Sequence, residues 1–467
     1  MNSYLSIAKL PREAYNACSL LSDMGFLRTH VRWFLIFWMF VISAIAYLDR
    51  VNISIAGTSM EREYGFDHVK LGLVLSAFGW GYALFQAPGG RLADKFGPRR
   101  VLAFGAIWWA IFTALTASVP VKIGSAVLVL VVTRFLLGLG EAVVYPAGNR
   151  LVAAWIPSSE RGLANGFIFA GVGAGAGLAP PLIAHILTHQ GWRWSFWVSA
   201  LIGLVAGVIW YWMARDTPEQ HSWATPAEVK YIEAGLPPFT ETHKPIAWGA
   251  IFTSKDVAAV TFSYFCYGYV AYIFFGWFFI YLNAVRGLDL KSSAYYSMVP
   301  FLAMAFCSPL GGWISDVLTG RMGKRPGRCG VAAVAMALCT VFIAMGSYAA
   351  DVRVASVVLA GGAGALYLSQ SSFWSVSSEM AGKSAGSVSG VMNMGGQIGG
   401  AITAYVTPLI AKHFGWSISF YTAAAFSILG ALAWLVVDTD RGTARLQGTS
   451  TQSSPQALGA HHAESSI

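Results

Sequence analysis

The chain has 467 residues, a formal net charge of +9 and a mean hydropathy of +0.56. Hydrophobic residues make up 56% and charged residues only 11%, about half the usual share, which leaves too little polar surface for a soluble fold of this size. The Lys and Arg residues are dispersed among short loops, which excludes a nucleic-acid surface and fits positive loops on the cytoplasmic side of a membrane.

Residues 1–31 are mixed and polar, and read as an N-terminal cytoplasmic segment. The first apolar run is too long for a cleavable signal and is expected to stay in the protein. That run, Trp33 to Ile55, is long enough to cross a bilayer, which needs about 20 helical residues. Near its far end stand Asp49, Arg50 and Asn52. A charge inside hydrocarbon costs roughly 2.5–3.5 kcal/mol, so these side chains are expected to face partners or a water-filled pathway. Neighbours on a helix diverge by about 100°, so Asp49 and Arg50 cannot be spent on each other face to face.

Further apolar segments follow at about 69–90, 99–119, 123–154, 162–188 and 193–213, then 256–284, 293–315, 328–348, 353–378, 385–411 and 416–437. The expected architecture is an all-α membrane protein of twelve transmembrane helices in two pseudo-symmetric six-helix halves. The halves are 32–213 and 256–437, with a central cytoplasmic linker at 214–255 and a disordered C-terminal tail at 438–467. Pro218, Pro226, Pro237, Pro238 and Pro245 mark the linker. Arg91, Lys95, Arg99 and Arg100 after the second segment, and Arg321, Lys324, Arg325 and Arg328 after the eighth, place both termini in the cytoplasm. The five cysteines (Cys18, Cys266, Cys307, Cys329, Cys339) have neither disulfide nor metal-ligand spacing and read as packing residues. His185 and His189 stand four apart without a partner acid, and no nucleophile–base set suggests an enzyme, so no cofactor or metal is expected.

The halves echo each other. Gly90-Arg-Leu-Ala-Asp94 returns 222 residues on as Gly312-Trp-Ile-Ser-Asp316, and Gly191-Trp-Arg-Trp-Ser-Phe-Trp197 returns 224 residues on as Gly415-Trp-Ser-Ile-Ser-Phe-Tyr421. A near-constant displacement argues for a parallel repeat about an axis along the membrane normal.

The stretch GRLADKFGPRR (90–100) resembles the loop signature of the major facilitator superfamily, and GWISDVLTGRMGKR is its weaker second copy. The resemblance implies gating by Asp94, Asp316 and the neighbouring Arg99 and Arg100, with a carboxylate at a helix end joining an Arg-rich loop. YLDRVNIS (47–54), GYALFQAPGGRLAD (81–94), TRFLLGLGEAVVYPAGNR (133–150) and FWSVSSEMAGKSAGSVSGVMNMGGQIGG (373–400) are similar to the anion:cation symporter branch. That branch carries hexuronates, hexonates, hexarates and other organic acids. It implies proton-coupled uptake of a small organic anion through the inner membrane by a monomer.

Arg134 and Glu141 lie seven apart, close to two helical turns, so they share a face about 10 Å apart. With Asp49 and Arg50 they form a balanced set of two acids and two bases. Protonating an acid frees an Arg, which can then take a substrate carboxylate in a bidentate grip. Glu141 is expected to carry the proton, because its deep apolar setting favours an uncharged carboxyl, with Asp49 as second candidate. Arg50 and Arg134 are the expected anion anchors. By the same resemblance Tyr82, Trp374, Asn393 and Gln397 occupy polar or aromatic pocket positions. The seventh segment is itself tyrosine-rich, and Tyr264, Tyr267 and Tyr272 are candidates to line the cavity. One departure stands out: 166–182 is almost all small residues where some sugar-acid carriers have a polar side chain. That leaves room for an aromatic or dicarboxylic acid as a second substrate class. Exchange in place of symport is a competing mode of transport, and a membrane-embedded enzyme is a remote reading.

Overall fold

The structure, a computed structural model, describes residues 30–65, 68–121, 125–236, 246–278, 281–288 and 290–447. Among these residues there are helices and turns and no strand, as expected where backbone polar groups must be satisfied without water. The first half contains α1 (Val31–Tyr64), α2 (His68–Phe96), α3 (Pro98–Ser118), α4 (Ala126–Glu141), α5 (Val144–Trp155), α6 (Arg161–Gln190) and α7 (Trp192–Met213). Short α8 (Pro226–Gly235) and α9 (Trp248–Thr253) follow. The second half contains α10 (Lys255–Gly276), α11 (Leu290–Met322), α12 (Val331–Tyr348), α13 (Val352–Leu368), α14 (Gln370–Ala381), α15 (Ala385–Phe414) and α16 (Trp416–Ala433), and α17 (Thr439–Gln447) closes the described chain.

Ten described stretches are long and apolar enough to cross a bilayer. One of them, Val352–Phe414, turns at Gly382 and holds two crossings; α2 supplies the twelfth. In each half the fourth crossing is broken. Between α4 and α5 the cause is Pro146, which has no N–H to offer the carbonyl four residues back. Between α13 and α14 the Ser369 hydroxyl and N–H both bond the Leu366 carbonyl, tightening the turn. The repeat is visible in the backbone. Gly191 and Gly415, which start the paired Gly-Trp motifs, both have φ of 87°, and Gly97 and Gly323 of the paired loops have 84° and 89°. L side chains rarely adopt such angles.

Within the first half α1 packs on α6, α2 on α4 and α3 on α7; in the second α10 packs on α15 and α11 on α13. The halves meet along two long seams, α2 on α15 and α6 on α11. Every residue of α14 is buried, although it reads QSSFWSVSSEMA. The Ser377 and Ser378 hydroxyls bond back to carbonyls, and Ser377 also accepts from Asn149 of the other half, which helps a polar helix at this depth.

The linker is folded onto the first half. Glu228 of α8 accepts from the first backbone N–H groups of α1, Val31 at 3.1 Å and Arg32 at 3.2 Å, and Arg32 also pairs with Glu160 at 3.0 Å. Within the stretch expected to be disordered after 437, Thr439–Gln447 instead forms a helix, because Arg441 reaches back to the buried Asp256 at 2.6 Å. The expected N-terminal segment up to residue 29, with Cys18, and the tail beyond 447 lie outside the described residues.

Candidate functional site

Asp49 and Arg50 diverge, as adjacent helical residues must. Asp49 turns toward α3, where its Oδ2 accepts from Trp109 Nε1 at 2.5 Å and Thr113 Oγ1 at 2.9 Å, while its Oδ1 has no hydrogen-bond partner. Arg50 turns toward α4, and its Nε donates to Glu141 Oε1 at 2.6 Å. Aromatic faces surround the guanidinium: Tyr82 at 4.2 Å, Tyr47 at 4.7 Å and Phe78 at 5.3 Å. Weakly hydrated guanidinium tolerates such a setting better than an ammonium would. Arg134 is also buried, 5.2 Å from the Phe78 ring, and close enough to Asp49 and Glu141 to feel both charges.

The cluster is incompletely satisfied. Arg50 Nη2, Glu141 Oε2, Arg134 Nε and the Tyr82 hydroxyl are buried without a partner. Unmade bonds on buried charged groups are costly, about 1–3 kcal/mol each or more. The break between α4 and α5 comes directly after Glu141, which therefore sits on the last turn of α4.

Beside the charges lies a cavity between the halves. Fourteen residues line it, eight of them aromatic, with Gln370, Asn393 and Gln397 as polar groups. Tyr47 joins the two regions, since its ring lines the cavity and bears Arg50 on its face. Among the expected pocket residues, Tyr264, Tyr267, Tyr272, Asn393 and Gln397 are on the wall. Tyr267 stacks on Tyr264 with its own hydroxyl unpartnered. Gln397 accepts from Tyr272 at 2.7 Å, and Asn393 donates across the halves to Gln86 at 2.8 Å. Trp374 and Tyr82 stand elsewhere. Trp374 is one layer behind, against Phe169 at 5.0 Å and donating to the Tyr264 hydroxyl at 3.3 Å, and Tyr82 lies under Arg50. The cavity holds only about 30 Å³, space for a water or two, so any organic substrate must part these walls.

One end of the bundle is closed by the repeated signature. Asp94 accepts from the backbone N–H of Gly386 at 2.9 Å and Ser387 at 2.7 Å, at the start of α15 in the other half. Asp316 does the same for Gly162 at 2.9 Å and Leu163 at 2.7 Å, at the start of α6. Each carboxylate thus caps a helix N-terminus, where orphan donors and the helix dipole favour an anion. Close approach is possible because both sides are glycine: a Cβ at Gly90 would collide with the Gly386 carbonyl, and one at Gly312 with that of Gly162.

The arginines differ from expectation. Arg99 stays within its own half, its Nε donating to the Tyr211 carbonyl and its backbone N–H to Asp216, both at 2.9 Å, and Arg100 is exposed. The turn at Gly97 carries both past the carboxylate, which already caps the opposite half. The cations beside these carboxylates are Arg150, 3.9 Å from Asp94, and Arg328, which pairs with Asp316 and with Glu379. Arg150 ends the quoted helix-four motif and Arg328 belongs to the second basic loop, so the residues were visible but not their partners. Gln370 and Tyr367 also stand at the cavity and carry no signal in the sequence beyond being polar or aromatic in an apolar run, whereas Tyr145 and Gln86, which bonds the cavity's Asn393, lie inside the quoted motifs, which do not say what they meet.

A sequence model described as Major Facilitator Superfamily matches residues 39–404. A probable sulfoacetate transporter of Cupriavidus necator is 34% identical over 397 residues, covering 84% of this chain and 91% of that one. A probable galactarate/D-glucarate transporter of Bacillus subtilis is 34% identical over 302 residues, covering 62% of this chain and 66% of that one. Among solved structures, the proton:xylose symporter XylE bound to 6-bromo-6-deoxy-D-glucose superposes with a TM-score of 0.69 at 17% identity, covering 89% of this chain and 98% of the other.

Proposed function

Since this chain belongs to the major facilitator superfamily of multi-pass membrane transporters, we propose that it carries an organic anion inward together with protons, by alternating access. The observation that carries this reading is the buried Arg50–Glu141 pair with one guanidinium nitrogen and one carboxylate oxygen left without partners. A proton on Glu141 removes the charge that holds Arg50. The freed guanidinium then presents two N–H groups toward a substrate carboxylate or sulfonate, with Arg134 adding attraction. When the anion leaves, Arg50 returns to Glu141 and expels the proton. The two ligands are linked because they compete for one partner.

Membrane energetics favour such coupling. Against an inside-negative potential, a monoanion entering alone is opposed by about 2.3 kcal/mol per 100 mV. One proton cancels that opposition, and a second, for which Asp49 is available, adds the potential as a drive. The proposed setting is the inner membrane with both termini cytoplasmic, which makes the Asp94/Asp316 end the cytoplasmic one. The structure is then the state closed to the cytoplasm.

A sugar acid is the substrate class proposed first. Asn393, Gln397 and Gln370 combine donors and acceptors for hydroxyls, and one of the relatives is named for galactarate/D-glucarate. An aromatic acid is the second reading, favoured by the eight rings of the wall and by α6, which contributes only Phe169 to it. Reconstituted protein tests the coupling. Glu141→Gln is expected to abolish accumulation against a gradient while keeping counterflow exchange of the anion. Full accumulation by this variant removes Glu141 from the mechanism.

A further inference from the structure

Arg100, like Lys95, is a member of the basic signature whose side chain no hydrogen bond or ion pair occupies among the described residues. Arg91 bonds the Ile246 carbonyl at 2.7 Å and Arg99 is held by Tyr211 and Asp216, whereas Arg100 is exposed and has no ion pair or hydrogen bond among the described residues. It stands at one end of a groove of about 450 Å³ on the outer face of the first half, between α2, α3 and α4. The rest of the lining is apolar, with Phe96, Phe104, Trp108, Leu139 and Val143 among its walls. Phe104 is 66% exposed and Phe96 47%, so these rings face what surrounds the bundle and not the core.

The groove runs along the helices. From Arg100 to Trp108 is eight helical residues, about 12 Å of depth. It therefore lies parallel to the lipid chains, with a cation at its shallow end and hydrocarbon walls below. Lys95, exposed and 5.1 Å from the Phe96 ring, adds a second positive charge at the same level. We infer that this groove is a binding site for an anionic glycerophospholipid, with one acyl chain between Phe104 and Trp108 and the phosphate on Arg100. The occupant follows from charge complementarity: a neutral apolar partner needs no cation, and a free anion needs no trench. The deep end is walled by Leu139 and Val143, which flank Glu141 at the break between α4 and α5. A chain seated there supports that break from the side opposite the charged cluster.

The test uses the full chain in nanodiscs with a phosphatidylglycerol that carries a photoreactive group in one acyl chain. The expected result is adducts concentrated in the peptides that hold Phe104, Trp108 and Leu139, competed by unlabelled phosphatidylglycerol. Phosphatidylcholine with the same chain is expected to label them less. Arg100→Glu should cut the labelling by at least about fivefold, the effect of losing one basic residue's attraction to an anionic lipid. Arg321→Glu, an exposed cation of the other half, should leave it unchanged. Adducts spread evenly over both halves, equal labelling by the two lipids, indifference to Arg100→Glu, or a dimer that buries this face each overturns the site.

Discussion

Asp94 offers the most direct test of how the closed end is held. In Asp94→Asn the side chain keeps one acceptor oxygen but loses its charge and its second acceptor. The Asp94 carboxylate receives the N–H groups of Gly386 and Ser387 and the Ser387 hydroxyl. Hydrogen bonds to charged groups contribute about 1.5–3 kcal/mol each. Losing one outright and weakening another removes roughly 3 kcal/mol from the closed state alone, since these donors lie across the seam between halves. Such a difference shifts the balance of two states by about 150-fold. The measurement is a spin-label distance between Lys95→Cys and Met322→Cys, exposed positions in the two halves at this end. Asp94→Asn should move population toward a longer distance, and the double variant with Asp316→Asn should move it further. An unchanged distribution in both variants refutes the idea that helix-capping by these two acids holds the end shut.

Other outcomes follow from the same geometry. Arg50→Lys keeps a charge but loses the planar fork and its stacking on Tyr82, so substrate affinity should fall by tenfold or more in a binding titration; unchanged affinity would assign the anion to Arg134. Asp49 is already held by Trp109 and Thr113, so Asp49→Asn should impair proton-driven uptake less than Glu141→Gln does, and equal loss would argue that both acids carry protons. Uptake by the natural protein should vary with external pH, whereas counterflow by Glu141→Gln should be flat across the same range. Arg441→Ala leaves Asp256 with the Asp438 N–H at 2.9 Å in place of a paired cation. A loss of about 2 kcal/mol is expected, read as a lower unfolding midpoint in detergent, and an unaltered midpoint would make the α17 contact incidental.

What the chain alone determined is the part written along one dimension. Apolar length against bilayer thickness foretells the crossings, and the paired Gly-Trp and Gly-x-x-x-Asp motifs foretell two like halves. The angle between neighbours on a helix already separates Asp49 from Arg50. What the chain could not decide is which side chains meet when helices far apart in sequence are rotated against each other. Arg50 finds Glu141 ninety-one residues away, Asn393 finds Gln86 across the seam, and Asp94 bypasses the arginines beside it for two N–H groups nearly three hundred residues on. These choices depend on helix rotation and on glycines that let backbones touch, quantities set by packing among all the helices at once. Trp374 shows the same limit: nothing in the sequence ranks it below Tyr264 of α10 as a wall residue, and only the fold puts it behind the cavity wall and Tyr264 on it.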